Sequence, residues 1–304
     1  MTEDIYLEVS EKAEASKKSG CRVSVSGMLK FLGVSRSGYL AWLKHVPSDT
    51  EKRRKTIKAK IQDIYDESKQ NYGAPKITRQ LRKSGEIISE RTVGKYMQEM
   101  GIKAQWVKPR TITTRDSDFS NELQNILNEQ FNPERPNAVW CSDITYIWTV
   151  DGFVYLTSIM DLFSRKIIAW TLSDTLEVSC VIDTINKAKS RRNTELPLII
   201  HSDRGSQYVS KAYKEATAKM ERSYSKKAFP WDNACIESFH SLIKREWLNR
   251  FRIRDYKQAY RLVFEYLEAF YNTRRIHSYC DYMSPNDFEK LYEQSQDGRL
   301  LIAS

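Results

Sequence analysis

The apolar positions of this chain change period partway along, and the change divides it. Through the first third they recur three and four apart, the spacing of one helical face. Residues 25–44 read as a helix, a turn at Gly33, a cap at Ser35 and a second helix, the outline of a helix-turn-helix. A longer helical pattern starts near Glu51 with Ile57, Ile61, Ile64 and Tyr65 on one face, and it stops at the Tyr72-Gly73-Ala74-Pro75 turn. Two shorter helices follow, one over 77–84 and one from a Ser89 cap through Thr92, Val93 and Met97 to Gly101, giving a second and more basic helix-turn-helix pattern. Residues 108–137 turn to Thr, Asp, Asn and Pro with one short amphipathic helix over 122–131, the composition of a linker.

Beyond it the period shortens. Residues 139–149 are rich in β-branched and aromatic side chains, Asp151-Gly152 supplies a hairpin turn, and strands follow over 153–160 and 164–171. A helix over 177–190, a short buried strand over 196–201 and helices over 210–222 and 233–250 complete the pattern. Three meandering strands, a crossover helix, a further strand and then helices is the element order of a ribonuclease-H-like fold. The expected class is therefore α/β, with an all-α helix-turn-helix region in front. The expected segments are 1–50 (helix-turn-helix-like), 51–115 (basic helix-turn-helix), 116–135 (linker), 136–250 (catalytic core) and 251–304 (C-terminal helical extension).

Charge sharpens this division. The 304 residues carry 49 Lys and Arg against 39 Asp and Glu, and residues 51–115 hold 17 basic against 7 acidic residues, an excess equal to the whole net charge of +10. A basic segment joined to a nearly neutral remainder suits a polyanion-binding module, although a solvated helical surface has the same composition. The five cysteines are scattered and form no C-x-x-C pair, which points to neither a disulfide framework nor a cysteine zinc site. No apolar run approaches a bilayer span, and Glu3, Asp4, Glu8, Glu11 and Glu14 rule out a signal peptide at the start, so a cytoplasmic protein is expected.

Three acids occupy unusual places. Asp143 sits mid-strand, where charge is depleted; Asp203 follows an apolar strand, at the end where open α/β sheets place ligands. Glu237 lies one turn into the helix introduced by Pro230, Asp232 and Asn233. On that helix Ile236, Phe239, Ile243 and Trp247 make a core-facing stripe, and Glu237, Ser241, Lys244 and Leu248 make a second stripe roughly 100 degrees round, which keeps the acid on the flank of the core and out of open solvent. Each acid also has an ordinary reading: a turn at Asp203, a lysine pair for Asp143, an exposed first-turn acid for Glu237. Together they read as one crevice, where clustered carboxylates need a cation and an all-oxygen set prefers magnesium or manganese to zinc.

The runs W-C-S-D-I-T-Y-I, D-L-F-S-R-K-I-I-A-W, H-S-D-R-G-S-Q-Y, W-D-N-A-C-I-E-S-F and Y-N-T-R-R-I-H-S resemble the second-reading-frame product of bacterial insertion sequences of the third type. Those are Asp-Asp-Glu transposases related to retroviral integrases. The resemblance runs from Y-G-A-P-K-I to S-P-N-D-F near the end. It implies an integrase catalytic core in which Asp143, Asp203 and Glu237 are the catalytic acids and hold two Mg2+ or Mn2+ ions. It also implies terminal-repeat and target DNA as partners, a homo-oligomer that holds two DNA ends, and in some members a frameshift fusion with an upstream-frame DNA-binding protein. Lys244, two turns after Glu237 on the same stripe, becomes a DNA-contact candidate, with Arg245, Arg204, Lys76, Arg79, Arg91 and Lys95 beside it. The chain departs from the family pattern in having two residues fewer between Asp203 and Glu237, Ala228 where glycine is usual, and Cys280-Asp281 where leucine and glycine are common.

Three rivals stand beside this. His201 to Arg204 matches the H-x-x-R of a tyrosine recombinase, with Tyr208, Tyr213 and Tyr224 following, but those residues belong on a helix in that class. A ribonuclease-H-like nuclease without joining activity would share the fold and the metal chemistry. A DNA-binding repressor with an inactive core would keep only the basic region.

Overall fold

The computed structural model describes residues 2–18, 20, 23–105, 123–226 and 230–303. The chain divides into two compact units, 1–62 and 63–304. In the first, α1 (Thr2–Lys18), α2 (Val25–Phe31) and α3 (Arg36–Leu43) close around Tyr6, Val9, Leu29 and Tyr39. Gly33 takes the left-handed conformation between α2 and α3 (φ 68), and the Ser35 hydroxyl caps α3 by accepting from the Gly38 amide at 3.3 Å. The unit boundary falls inside α4 (Asp49–Glu67).

The second unit opens with α5 (Ala74–Lys83) and α6 (Glu90–Glu99), which bury Ile77, Leu81, Val93 and Met97. Pro75 occupies the first turn of α5, and Ser89 caps α6 through the Thr92 amide at 3.1 Å. Then comes a five-stranded sheet: β1 (Val139–Thr149), β2 (Gly152–Asp161), β3 (Lys166–Ser173), β4 (Ile199–Ser202) and β5 (Glu221–Tyr224), in spatial order β3-β2-β1-β4-β5. The hairpin-linked pairs are antiparallel, and β4 and β5 join parallel to β1. One face packs on α7 (Val178–Arg191), α8 (Ser206–Val209) and α9 (Lys211–Ala216); the other packs on α10 (Ala234–Glu246) and α11 (Tyr256–Tyr266), whose last turn runs on as a π turn, Leu267–Tyr271. A final helix, α12 (Pro285–Ala303), follows. This is the expected α/β core behind helical elements.

Several expected elements differ. The region over 210–222 is not one helix: α9 ends at Ala216 and the chain forms β5, a four-residue strand whose Ser223 and Tyr224 are buried. Of the helix expected over 122–131, Glu122 lies outside the described residues, and the rest is irregular: Asn128 and Glu129 have positive φ, and the Gln124 carbonyl accepts from the Tyr224 amide at 2.9 Å, so the segment pairs with the sheet edge. The helix expected over 233–250 ends at Glu246, and a 3-10 turn, Leu248–Arg250, takes its place. Ala228 also lies outside the described residues. Among the described residues no helix is long and apolar enough to cross a membrane, and Cys141, Cys180, Cys235 and Cys280 are free thiols.

Candidate active site

The strand register builds the site. Because β1 and β4 run parallel with Cys141 beside His201 and Ser142 beside Ser202, the next residues along the two strands, Asp143 and Asp203, emerge side by side. Cys141 and Ile236, Phe239 and Ile243 of α10 share one buried cluster, so that helix packs on the same sheet face and delivers Glu237 from its first turn. Asp203 and Glu237 both feel the charge of Asp143. Asp203 is pushed up to about 6, first by burial and then by the neighbouring Asp143, with the Gly205 amide, which donates to its Oδ1 at 2.9 Å, pulling the other way. Glu237 is raised by burial, then by Asp143 and Asp203. Its side chain is nonetheless exposed, so it borders the crevice from the solvent side, a correction to the expectation that it stands out of open solvent. The core-facing stripe of Ile236, Phe239, Ile243 and Trp247 is buried as the helical period requires.

Sequence reasoning passed over the residue that holds Asp143. His240, one turn after Glu237, is buried; its Nδ1 lies 3.2 Å from Asp143 Oδ2 and its Nε2 lies 2.7 Å from the Ser158 hydroxyl. The imidazole thus spans β2 and the first acid, and the Ile144 amide donates to Asp143 Oδ1 at 2.8 Å. The signal was an E-x-x-H spacing on a helix, which reads in sequence as an ordinary core histidine.

The basic candidates separate into groups. The Lys244 ammonium lies 4.6 Å from the centre of the Tyr146 ring and is lowered by burial, with Asp143 opposing, which puts it beside the carboxylates. The Arg245 Nε donates to the Ser241 carbonyl of its own helix at 3.3 Å. Arg204 is turned inward: its guanidinium donates to the Ser225 carbonyl at 2.8 Å and the Leu123 carbonyl at 3.1 Å, fastening the chain after β4 to the sheet edge. Arg79, on α5, and Arg91 and Lys95, one turn apart on α6, are exposed. Lys76 is half-buried against the Tyr72 ring. The recombinase alternative loses its nucleophile, because Tyr208, Tyr213 and Tyr224 are all buried, and His201 is a strand residue fixed between the Ser223 and Ser225 hydroxyls at 2.8 and 3.1 Å and held down to about 4 by burial.

Among the described residues no three His, Cys, Asp or Glu side chains stand close enough to hold a metal ion as placed. The donor chemistry still fits a hard cation: three carboxylates, with Asp203 harder to ionise through burial and Asp143, and Glu237 through burial, Asp143 and Asp203.

Comparison with known proteins places the chain. Family models of the Integrase core domain match residues 133–227 and 218–285, and a model of an HTH-like domain matches 52–110. The transposase for insertion sequence element IS904 of Lactococcus lactis subsp. lactis (strain IL1403) is 37% identical over 246 residues, 80% of this chain and 97% of that protein. Transposase InsF for insertion sequence IS3A of Escherichia coli (strain K12) is 32% identical over 279 residues, 90% of this chain and 96% of that protein. Among solved structures, the HTLV-2 integrase catalytic core domain in complex with magnesium aligns with 51% of this chain and 98% of that one, at 16% identity and a TM-score of 0.39. The chain belongs to the insertion-sequence transposases that carry an integrase core domain.

Proposed function

We propose that this transposase cuts DNA at the ends of an insertion sequence and joins them to target DNA, with Asp143, Asp203 and Glu237 as its catalytic acids. The observation that carries the reading is the parallel β1–β4 register, which sets Asp143, in the middle of β1, beside Asp203, just past the carboxyl end of β4, while burial and then the charges of both raise Glu237 on α10. Two Mg2+ or Mn2+ ions held by these acids would supply activation of the attacking oxygen and stabilisation of the leaving oxygen of a phosphodiester. His240 fixes Asp143 through its contact at 3.2 Å, and the Gly205 amide fixes Asp203. Glu237, being exposed, is the acid with rotamer freedom to complete the set. Lys244 is placed to hold a phosphate near the scissile bond, with Arg245 around the helix as the weaker contact; Arg79, Arg91 and Lys95 supply the helix-turn-helix contacts to terminal-repeat DNA.

In this reading residues 1–50 and 51–115 bind DNA, 116–135 link, 136–250 catalyse and 251–304 extend the core. The chain works in the cytoplasm on nucleoid DNA, as a homo-oligomer holding two ends, alone or with an upstream-frame DNA-binding protein. The test uses labelled ends of the parent element with and without magnesium. Cleaved and strand-transfer products that require the ion, and that disappear with Asp203→Asn, are expected. Product from Asp203→Asn at the unsubstituted rate would overturn the assignment of the acids, and cleavage that never yields a joined product would leave a nuclease in its place.

A further inference from the structure

The motif Y-N-T-R-R-I-H-S takes no part in the carboxylate crevice, yet its residues are among the most constrained in the molecule. Tyr271 and Asn272 are buried against β3, where the Asn272 side chain accepts from the Ile167 amide at 3.0 Å and donates to the Ile167 carbonyl at 2.9 Å. Arg275 is buried and doubly bonded to Glu246 at the end of α10, at 2.7 and 2.6 Å. The Tyr72 hydroxyl accepts from the Ile276 amide at 3.0 Å, tying the start of α5 to the same turn.

Between these elements lies a cleft of about 420 Å³, and its charge is one-sided. It runs along the side of α10 at Ser238 and Leu242, away from Glu237, and Lys76, Arg165, Arg275, His277 and Tyr279 face it from the other elements. No aspartate or glutamate lines it among the described residues. The nearby acid, Glu246, is already bonded twice to Arg275. The Lys76 ammonium makes no ion pair among the described residues; its contact is the face of Tyr72, 4.9 Å away. Arg165 is fixed by the Phe131 and Leu162 carbonyls at 2.8 and 2.6 Å and lies 3.9 Å over the Tyr279 ring, and among the described residues no carboxylate pairs with it. The crowding is felt by the groups present: burial and Arg275 push Lys76 down to about 8 against the opposing charge of Glu246, and His277 is held well below the ordinary imidazole range by burial and by Arg275, Lys76 and Arg165. Three cations share the one neighbouring carboxylate, Glu246, which is bonded to Arg275, and a cation excess around an open, half-desolvated cleft is costly alone and strongly favourable around an anion.

We infer that this cleft binds a backbone phosphate of the DNA strand, with Lys76 as its mobile cation, Arg165 and Arg275 as its fixed ones and Ser238 as a hydroxyl donor. The inference rests on the DNA-processing reading above for the identity of the anion. It goes beyond that reading in making a second contact point, on the flank of α10 roughly 100 degrees round from Glu237, at which α5 and the catalytic helix grip the same strand. Tyr279, half-exposed under Arg165, offers a ring face to the adjoining nucleotide.

The test is made on the full chain carrying Asp203→Asn, so that binding is read without cleavage. Affinity for labelled terminal-repeat duplex is measured as salt rises, for that chain alone and with Lys76→Met, Lys76→Arg or Ser238→Asp added. Loss of one phosphate contact should lower the slope of log affinity against log salt by about one, with roughly ten-fold weaker binding. Lys76→Met and Ser238→Asp are expected to do this and Lys76→Arg to restore the slope. Inorganic phosphate, compared with sodium chloride at equal ionic strength, should raise the melting temperature of the parent chain and leave the Lys76→Met chain unmoved. Unchanged slopes in both Lys76→Met and Ser238→Asp overturn the inference, as does phosphate protection without any change in the DNA slope, which would mean a site for free phosphate. Cleavage surviving Asp203→Asn would instead count against the acids and leave these binding results standing.

Discussion

At Asp203 the cost of the site can be read directly. Its carboxyl is harder to ionise in the folded chain than the ordinary value of 3.8, being raised to about 6 by burial and by Asp143. Between those two values the folded chain holds a proton that the unfolded chain has released, so stability falls as pH rises through the window and the full penalty stands above it. Allowing for solvent screening, that penalty is on the order of 2 kcal/mol at neutral pH. Asp203→Asn should therefore melt higher than the parent chain at pH 7.5 without divalent ions, the two converging as pH is lowered towards 4. Added magnesium should raise the parent's melting temperature at pH 7.5, less so at pH 5.5, where a proton must first be displaced, and should do little for the variant. A melting temperature for Asp203→Asn at or below the parent's across the range would show that the carboxylate is not strained. His240 calls for a different measurement, because it acts through Asp143. His240→Ala should keep the fold and raise the magnesium concentration needed for half-maximal cleavage by about 10- to 100-fold, the usual effect of losing a partner that orients a ligand. An unchanged requirement would make it a packing residue only.

At the scale of elements, α10 carries two jobs on two faces, and its C-terminal end is fixed by an ion pair. Glu246 accepts from Arg275 and, at 2.8 Å, from the Tyr266 hydroxyl, and burial of the pair leaves either partner costly alone. Arg275→Met should destabilise the chain by about 3 to 5 kcal/mol, and adding Glu246→Gln should recover part of the loss, as read from denaturant melts. Additive losses would mean the two residues act separately. The element scale also shows what the sequence could reveal. The β1–β2 hairpin, the Ser35 and Ser89 caps and the apolar stripe of α10 follow from local period and turn chemistry, so they were legible, and with them the strand-borne Asp143 and Asp203. β5 was not, since its four residues, Glu-Arg-Ser-Tyr, give no apolar alternation, and its place depends on β4 and on His201 bridging Ser223 and the following Ser225. Nor was the inward turn of Arg204, whose partners Leu123 and Ser225 are distant in sequence. The Cys280-Asp281 departure finds a physical reading only in three dimensions: Asp281 has φ 49, a left-handed conformation that glycine adopts without strain, and Cys280 is buried with its thiol donating to the Ser164 carbonyl at 3.3 Å.

On the scale of the whole molecule, the division of labour along the sequence does not coincide with the units that hold together. The segment after residue 250 supplies one wall of the core: Leu262, Val263, Tyr266, Leu267, Phe270 and Tyr271 are buried in the same cluster as Met160, Ile167, Trp170 and Leu172 of the sheet. Asn272 adds its two bonds to Ile167, and Glu289 of α12 pairs with Lys166 at 2.9 Å and Arg192 at 2.7 Å. Each large apolar side chain in such a contact contributes about 1.5 to 3 kcal/mol on burial, so six of them are comparable with the roughly 5 to 15 kcal/mol by which a domain of this kind is usually stable. The helix-turn-helix helices belong to that unit as well, through Tyr72 and Ile276. Residues 63–304 expressed alone should consequently melt in one cooperative transition. Residues 1–250, which keep all three acids, should lack a cooperative transition and bind a hydrophobic dye, because the sheet face that α11 covers is left bare. If 1–250 instead melts sharply and cleaves DNA ends, the C-terminal segment is an accessory, and the acids are positioned by β1, β4 and α10 without it.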